Sequence, residues 1–301
     1  MATKIKITFL GTADAIPSVR RNHSAVFLSY DAENILFDCG EGTQRQFRKA
    51  RLNPGKVTRI LITHLHGDHV LGLPGLMQTL SLSNYNKTLY IYGPKGTKQF
   101  VREMLNTFKF QENYPIKVEE VSGNFFENKH FYLEAEKMIH GIPCNAYNFV
   151  KKGKLRIDKK KLKKSGLPEG PLLSKIIQGK DVVYQGKKFK SKALTYQDKD
   201  LKVSFVMDTL DNKRIVPFVK GADVFVSEST FSLEEKDKAE KHKHLTSEQA
   251  AKIAKKAKVG KLILTHISAR YDKNPKKILL EAKKIFRKSE VVKDLDVLEV
   301  E

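Results

Sequence analysis

The sequence predicts an α/β fold in which mixed β-sheets are covered by helices. Short apolar stretches bounded by Gly, Asp and Asn recur along the 301 residues, and such stretches are typical of β-strands. Segments with helical periodicity lie between some of them without strict alternation, which favours mixed sheets over a regularly wound parallel sheet. With 40% apolar residues, the chain can bury a large core, and α/β folds of this length often form one unit.

The individual elements follow from this pattern. We predict strands at residues 5–10, 25–28, 34–37, 59–62, 88–92, 202–207, 223–226 and 261–264. We predict helices at residues 70–82, 95–107, 246–257 and 275–288. The third helix begins at Thr246, three residues before Gln249, and this spacing predicts a capping box.

The chain is strongly basic. It contains 56 Lys and Arg against 34 Asp and Glu, a formal net charge of +22, so we expect a polyanionic partner. Half of this excess lies in residues 151–200, where 16 basic residues stand against 5 acidic ones. We predict an inserted, protruding element there. The alternative is a solvated basic face or a flexible linker.

Neither membrane insertion nor secretion is indicated. No apolar run approaches the roughly 18 to 20 residues that span a bilayer, and residues 1–7 lack the apolar core of a signal peptide. The two cysteines, Cys39 and Cys144, can form at most one disulfide, which a chain of this length does not need. We therefore expect a cytoplasmic protein with reduced thiols.

The segment after the fourth predicted strand is dense in metal-ligand side chains. His64, His66, Asp68 and His69 fall within six positions. Residues two apart in an extended chain point to the same side, and Gly67 permits a turn that sends Asp68 and His69 towards a second position. Because a zinc ion takes three or four such ligands, this loop nearly completes one site and supplies part of another.

The remaining ligands must come from distant segments. Three side chains follow apolar stretches, where a sheet would deliver them to a common rim: His140, Asp208 and His266. Asp208 is a candidate to lie between two ions. Glu228 and His244 are further polar candidates outside the ligand count.

Together these residues resemble a known family. The pattern His64-x-His66-x-Asp68-His69, with the three later ligands, resembles the metallo-β-lactamase superfamily. A narrower resemblance is to ribonuclease Z, the tRNA 3′-processing endonuclease, in its short form. It is carried by Phe9-Leu10-Gly11-Thr12, Phe37-Asp38-Cys39-Gly40-Glu41-Gly42-Thr43-Gln44, His69-Val70-Leu71-Gly72-Leu73-Pro74-Gly75-Leu76, Glu228-Ser229-Thr230-Phe231 and Leu264-Thr265-His266-Ile267-Ser268-Ala269-Arg270-Tyr271.

The resemblance implies an αβ/βα sandwich of two mixed β-sheets flanked by helices. It implies one domain over residues 1–301, with a basic tRNA-binding arm inserted at about 150–195. Two zinc ions per chain are implied, with manganese or iron as alternatives. The implied ligands are, for one ion, His64, His66 and His140; for the other, Asp68, His69 and His266; and, as the bridge, Asp208. The implied reaction removes the 3′ trailer of precursor tRNA with a metal-activated hydroxide and leaves a 3′-hydroxyl on the tRNA.

The resemblance also implies catalytic roles. His244 corresponds to the proton donor for the leaving 3′ oxygen, and Glu228 to the acid that orients it. His242, two residues away, is an open alternative as the donor. Asp68 is expected to help orient or deprotonate the nucleophile in addition to binding metal. Asp38 is expected either to support the loop at residues 64–69, called the histidine loop below, or to be a turn residue.

Substrate contacts are implied in two places. The arm would neutralise phosphates without reading bases; its candidate contacts are Lys151, Lys152, Lys154, Arg156, Lys159, Lys160, Lys161, Gly170 and Pro171. The loop that contains Arg21 and Asn22 resembles one that discriminates against CCA-bearing tRNA. Val19 stands where Lys is common, so this discrimination stays open. Family members also suggest a homodimer, and His23 and His130 are expected at the surface.

Two other functions compete with this interpretation. Another hydrolase on the same scaffold, such as a small phosphodiesterase, would need the metals but not the arm. A non-catalytic RNA-binding protein is the second alternative. The complete ligand set, together with Glu228 and His244, disfavours it because RNA binding alone requires none of these groups.

Overall fold

A computed structural model of the chain describes residues 4–108 and 113–301. Its strands are β1 (Ile5–Gly11), β2 (Ala25–Tyr30), β3 (Glu33–Phe37), β4 (Arg59–Leu61), β5 (Leu89–Gly93), β6 (Ile116–Glu120), β7 (Gly123–Glu127), β8 (Phe131–Met138), β9 (Cys144–Lys151), β10 (Leu155–Ile157), β11 (Val182–Tyr184), β12 (Lys187–Phe189), β13 (Thr195–Gln197), β14 (Leu201–Val206), β15 (Val224–Glu228), β16 (Lys261–Thr265), β17 (Ser289–Val291) and β18 (Val297–Val300).

Its α-helices are α1 (Thr43–Lys49), α2 (Gly67–Val70), α3 (Leu73–Leu82), α4 (Thr97–Thr107), α5 (Lys159–Ser165), α6 (Leu172–Ile177), α7 (Ser191–Leu194), α8 (Ile215–Val219), α9 (Lys236–His242), α10 (Ser247–Ala257) and α11 (Lys276–Ile285). Short 3₁₀ helices lie at Pro54–Lys56, Leu233–Glu235 and Ala269–Tyr271. None of the helices in the described part of the chain combines the length and the apolar character that a bilayer-spanning helix needs.

The chain divides into two compact units. The larger unit contains the described residues of Met1–Glu127, Leu133–Phe149 and Lys202–Glu301. The smaller unit contains Asn128–Tyr132 and Val150–Leu201. The basic segment at residues 151–200 therefore falls entirely in the smaller unit.

Two seven-stranded sheets form the framework of the larger unit. The first has the strand order β18-β1-β2-β3-β4-β5-β6, and the second has the order β17-β16-β15-β14-β9-β8-β7. In the first sheet β18, β1, β2 and β3 pair antiparallel, whereas β3, β4, β5 and β6 pair parallel. In the second sheet β14, β15, β16 and β17 are parallel. Parallel neighbours end at the same edge, which is where loops can converge on a site.

Apolar side chains pack on both faces of each sheet. One core cluster joins the first sheet to α1, α3 and α4 through residues such as Phe47 and Leu76. Another joins the second sheet to α8, α10 and α11 through residues such as Ile253. Between the sheets, the rings of Phe37 and Phe205 stack at 3.7 Å. The predicted sandwich of two sheets flanked by helices is thus confirmed.

All eight predicted strands are present as β1 to β5 and β14 to β16. Within the described residues, ten further strands were not predicted. Two of these, β6 and β7, lie at sheet edges and are largely exposed, and polar residues leave them without a continuous apolar run. The capping box of α10 is confirmed, because Thr246 Oγ1 accepts the Gln249 N–H and Gln249 Oε1 accepts the Thr246 N–H.

The predicted helix at 70–82 is wrong in its first turn. The chain forms the short helix α2 and then α3, with Pro74 in the first turn of α3. Gly72 lies between them, and a Cβ at this position would come 2.0 Å from the Gly40 carbonyl oxygen. Close backbone contact with the 39–40 loop therefore displaces the chain from a single helical axis.

The smaller unit has its own secondary structure and core. β10 pairs with β13, and β11 pairs with β12, each antiparallel. Six apolar side chains of this unit are buried together: Leu162, Leu167, Ile176, Val182, Phe189 and Leu194. The described residues of this segment therefore form folded elements with a core of their own, which a flexible linker would lack.

Candidate metal centre

The candidate ligands follow the carboxyl ends of strands from both sheets. His64 and His66 come after β4, His140 after β8, Asp208 after β14 and His266 after β16. Asp68 and His69 belong to α2, which begins directly after His66. Because β14 and β16 both pair parallel with β15, their ends deliver side chains to one edge of the second sheet.

The histidine loop is held by close contacts with the 38–40 loop. The Cys39 N–H donates to the His69 carbonyl at 2.8 Å, and the Gly72 N–H donates to the Cys39 carbonyl at 2.9 Å. A Cβ on Gly40 would come 2.2 Å from the Asp68 carbonyl oxygen. Glycine is therefore required at position 40 for the two loops to approach each other.

The first group of candidate ligands consists of His64, His66, His140 and Asp208. The His66 Nδ1 lies 3.0 Å from the His64 Nε2 and 3.2 Å from the His140 Nε2. The Asp208 Oδ2 lies 3.6 Å from the His64 Nε2 and 4.0 Å from the His140 Nε2. All four ligand atoms lie within 4.8 Å of one another.

The second group consists of Asp68, His69, His266 and again Asp208. The Asp68 Oδ2 lies 3.2 Å from the His69 Nε2 and 3.4 Å from the His266 Nε2. The other oxygen of Asp208, Oδ1, lies 3.5 Å from the His69 Nε2 and 3.2 Å from the His266 Nε2. The two oxygens of Asp208 therefore each face a different group.

Hydrogen bonds at Nδ1 orient four of the histidines. His69 Nδ1 donates to Asp38 at 2.7 Å, and His140 Nδ1 donates to the Lys243 carbonyl at 3.1 Å. The Thr63 hydroxyl contacts His64 Nδ1 at 3.1 Å, and the Thr230 hydroxyl contacts His266 Nδ1 at 2.9 Å. Each hydroxyl donates to a carboxylate, of Asp38 and Glu228 respectively, so each accepts from its histidine. The Nε2 lone pair of every one of these rings then faces the centre, as metal ligation requires.

The donor set fits cations. The Asp208 Oδ1 is buried, yet it accepts no hydrogen bond from any described residue, and buried carboxylate oxygens are normally satisfied. Several imidazole lone pairs also point at each other across short distances, which is unfavourable unless a positive charge lies between them. Five histidines and two aspartates are ligand types that zinc, manganese and iron all accept.

Protonation equilibria agree with this fit. Burial, and then the neighbouring His69, hold the pKa of His64 well below its usual value, so this ring stays neutral. Burial would raise the pKa of Asp208, but the surrounding histidines, His266 first, hold it well below its usual value. Burial likewise opposes a charged His69, yet the carboxylates of Asp38 and Asp208 raise its pKa. The field at this position therefore favours a positive charge.

A second polar pair lies beside these groups. The His244 Nδ1 lies 3.0 Å from the Glu228 Oε2, and the Glu228 Oε1 accepts the Thr209 N–H at 2.6 Å. Burial lowers the pKa of His244, but the Glu228 and Asp208 charges outweigh this effect and raise it to about 9. Thr230 donates to the same Glu228 oxygen at 2.7 Å. Sequence reasoning gave Thr230 no role, although it stands two residues after Glu228.

Three backbone positions at the site have left-handed conformations that non-glycine residues rarely adopt. The φ angles are 57° for Asp38, 57° for Lys243 and 55° for His266. Such residues cost free energy and persist where the surrounding structure enforces them. The Asp38 carboxylate orients His69, and the Lys243 carbonyl orients His140. His266 is itself a candidate ligand.

The other predicted site residues lie as follows. His242 is exposed at the end of α9, and it is His244 that contacts Glu228. Asp38 supports the histidine loop, since it accepts the Thr63 N–H at 2.7 Å as well as the His69 proton. The expectation that His23 is a surface residue is wrong: it is buried beneath Gly40. His130 is half-buried.

The structure contradicts a substrate contact at Arg21. Its side chain is buried, and its guanidinium donates to the Thr12 hydroxyl and the Val292 carbonyl, both at 2.7 Å. A further ion pair with Asp272 spans 3.4 Å. These partners occupy the guanidinium, so Arg21 anchors its loop. Asn22 is half-buried, and its amide donates to the Glu41 carbonyl at 2.6 Å.

The basic candidates of the smaller unit are mostly exposed. Lys159, Lys160 and Lys161 form the first turn of α5, with Asp158 as the N-cap. Arg156 makes an exposed ion pair with Asp198 at 2.7 Å. The remaining candidates lie at half-buried or exposed positions: Lys151, Lys152, Lys154, Gly170 and Pro171.

Both cysteines are buried and free. Burial raises the pKa of Cys39 to about 12. Burial also holds the pKa of Cys144 well above its usual value. Neither thiol belongs to either ligand group.

The sequence matches one family profile and several curated proteins. Residues 5–139 match a family profile described as anti-Pycsar protein Apyc1. The ribonuclease Z of Enterococcus faecalis is 38% identical to this chain over 307 residues, which cover 98% of this chain and 97% of that protein.

Solved structures extend the similarity to the fold. The crystal structure of human tRNase Z, short form, matches with a TM-score of 0.70 and 28% identity, and the match covers 97% of this chain and 98% of the human chain. A metallo-β-lactamase fold protein from Bacillus subtilis matches with a TM-score of 0.71 over 99% of this chain and 100% of its own. At 19% identity, the second match shows the fold alone.

Asp38→Asn should weaken metal binding. The substitution keeps the size and the left-handed backbone, but removes the negative charge that receives the His69 proton, and removal of such a partner typically lowers metal affinity by about 10- to 100-fold. Elemental analysis should find close to two transition-metal ions on the unsubstituted chain, and competition with a chelator measures the affinity. Asp31→Asn is the matched control, because Asp31 is exposed and has a φ of 55°. Equal effects of the two substitutions would contradict the supporting role of Asp38.

Proposed function

The chain belongs to the ribonuclease Z family, and we propose that it is a metal-dependent endoribonuclease that removes the 3′ trailer from precursor tRNA and leaves a 3′-hydroxyl on the tRNA. One observation carries this proposal. Two groups of metal-ligand side chains share Asp208, and members of both groups line a cleft of about 550 Å³ together with His244, which Glu228 orients. Phosphodiester hydrolysis needs both parts, since one nucleophile must be activated and one leaving oxygen must be protonated.

We propose two zinc ions per chain, with manganese or iron as alternatives. The first would be held by His64, His66, His140 and Asp208, and the second by Asp68, His69, His266 and Asp208. Bound there, such ions would lower the pKa of a water and stabilise negative charge on the phosphodiester oxygens. The convergence of the Nε2 lone pairs and the unsatisfied Asp208 Oδ1 support this assignment.

The side chains of the protein would then position and move protons. Asp68 reaches both His69 and His266 through its Oδ2 and can orient the attacking water with its other oxygen. His244 is tied to Glu228 through Nδ1, which leaves Nε2 to donate to the leaving 3′ oxygen. Glu228 stabilises the charged imidazole in the meantime, so its role is positioning and electrostatic.

We propose that the smaller unit binds the body of the tRNA. The support comes from the exposed lysines at the start of α5. Positive charge in the first turn of a helix opposes the helix dipole, and Lys161 has an ion pair there, with Asp158 at 3.6 Å. The arrangement concentrates cations where a phosphate backbone can contact them. Gly170 and Pro171, at the start of α6, would shape the same surface.

We further propose a homodimer formed through α3 and its flanking loops. Residues 70–86 contain no Asp, Glu, Lys, Arg or His, although 30% of the chain is charged. Leu71 and Leu82 are nevertheless 58% and 86% exposed. Two copies that each carry +22 repel each other wherever basic surfaces meet, so an uncharged face is where a second copy can approach. The two reduced cysteines support a cytoplasmic location.

The central test is cleavage of a 3′-extended precursor tRNA with mapping of the cut. We expect a single cut at the start of the trailer and a 3′-hydroxyl on the tRNA product. Asp68→Ala should abolish cleavage while RNA affinity, measured by filter binding, stays within about twofold, because the phosphate contacts lie elsewhere. Asp237→Ala, on the exposed surface of α9, is the control. A parallel loss of binding and cleavage in Asp68→Ala would argue against this separation.

Removing charge from α5 should weaken tRNA binding in a salt-dependent way. The triple variant Lys159→Ala, Lys160→Ala and Lys161→Ala is expected to reduce the slope of log affinity against log salt by about 1 for each phosphate that is no longer neutralised. The control removes the same charge from the larger unit at Lys255, Lys256 and Lys283, all exposed. If both triple variants bind tRNA equally weakly, only net charge matters and the smaller unit has no special role.

Charges placed on the α3 face should dissociate the dimer. Leu71→Arg combined with Leu82→Arg is expected to convert the protein to monomers in sedimentation-velocity experiments, because two buried unpaired charges would face each other across the interface. Leu280→Arg, at an exposed leucine of α11, is the control and should leave the dimer intact. A monomeric unsubstituted protein would refute the dimer proposal.

A further inference from the structure

An exposed imidazole lies at the rim of the catalytic cleft with no part in the chemistry described above. The His242 ring lies 6.3 Å from the Phe231 ring, with an angle of 17° between their planes, which is a stacked arrangement within the range of aromatic pairs. It makes no hydrogen bond or ion pair with any other described residue, and both rings line the cleft that contains the ligand groups.

The Phe231 ring supports the His242 ring from one side and is itself held in place by its neighbours. The Phe231 ring lies 5.9 Å from that of His244, and the Arg270 guanidinium lies over it at 5.1 Å. Arg270 is itself held by Glu235 at 2.6 Å. The Ser247 N–H also donates to the Phe231 carbonyl at 3.0 Å. A flat, supported ring with an open face at a charged cleft is the arrangement that proteins use to stack single-stranded bases.

We propose that His242, supported by Phe231, is a stacking surface for the nucleobase on the 5′ side of the cut. This rests on the proposed function, in which His244 donates a proton to the 3′ oxygen. That oxygen belongs to the last nucleotide of the tRNA, so the ribose of this nucleotide lies beside His244. His242 is two residues from His244 on the same segment, within reach of the base that this ribose carries.

The charges around His242 fit the same ligand. Lys241 and Lys243 flank it in sequence and line the same cleft, so phosphates on either side of the stacked base would meet positive charge. Stacking needs only an aromatic face and tolerates any base. The surface would therefore locate the end of the tRNA without reading its sequence.

Kinetics with an altered substrate test the proposal. His242→Ala should raise KM for precursor tRNA roughly 5- to 150-fold, the range that base–aromatic stacking spans. On the same tRNA with an abasic residue directly 5′ of the cut, the effect should shrink below about twofold, because no base remains to stack. His242→Phe should restore most of the affinity. Lys236→Ala, on the same helix but outside the cleft, is the control for truncation of a side chain on α9.

Two results would overturn the proposal. Equal effects on the intact and the abasic substrate would show that His242 only supports α9. An effect that disappears when the abasic residue is placed 3′ of the cut would show that the ring contacts the trailer instead.

A binding measurement separates this proposal from the proposed function. Precursor tRNA with 2-aminopurine directly 5′ of the cut should lose fluorescence when the Asp68→Ala protein binds, and it should keep its fluorescence when His242→Ala is added to that variant. Quenching without cleavage by the unsubstituted protein would refute the nuclease and leave the stacking surface. Cleavage without quenching would refute the stacking surface alone.

Discussion

The site depends on one carboxylate that faces two ways. Asp208 is buried at the end of β14, and each of its oxygens faces a separate set of histidines. A buried carboxylate is costly unless positive charge surrounds it. The chain meets this requirement by bringing together imidazoles from four distant segments. Burial of the Asp208 carboxylate therefore requires that three parts of the fold meet at one point: the second sheet, the histidine loop and the loop after β8.

The scaffold enforces the meeting point through backbone contacts that only glycine permits. Gly40 and Gly72 let the loop after β3 lie against α2, with carbonyl oxygens where side chains would otherwise be. Asp38, in the same loop, then reaches Thr63 and His69. The positions of Asp68 and His69 are thus fixed by the first sheet, while Asp208 and His266 arrive from the second. Misalignment of the two sheets would separate the two halves of the site.

The sequence predicted the parts of the molecule whose signals are local. Strands β1 to β5 and β14 to β16 are largely buried, and their continuous apolar runs are visible in the sequence. The exposed edge strands β6 and β7 contain no such continuous run. The candidate ligands were predictable because histidine and aspartate at that spacing have few other uses.

The supporting residues could not be predicted in the same way, because their roles exist only in three dimensions. Thr230 matters through its position between Glu228 and His266. Arg21 lies within a candidate substrate loop in the sequence, yet its guanidinium is occupied by Thr12, Val292 and Asp272. The burial of His23 follows from the contact of its own backbone and Cβ with Gly11 and Gly40. Each of these outcomes depends on long-range packing that pattern and composition do not encode.

The two cysteines have a consequence for how the protein tolerates oxidants. Cys39 adjoins Asp38, whose carboxylate supports the histidine loop. Cys144 begins β9, and its Sγ lies close to the Asp208 carbonyl. With their pKa values raised by burial, both remain protonated and shielded from peroxide, which attacks thiolates. The ligands of this hydrolytic centre are nitrogen and oxygen atoms, and the nearest thiols are unreactive. The centre should therefore stay active under oxidative stress that inactivates zinc proteins with thiolate ligands.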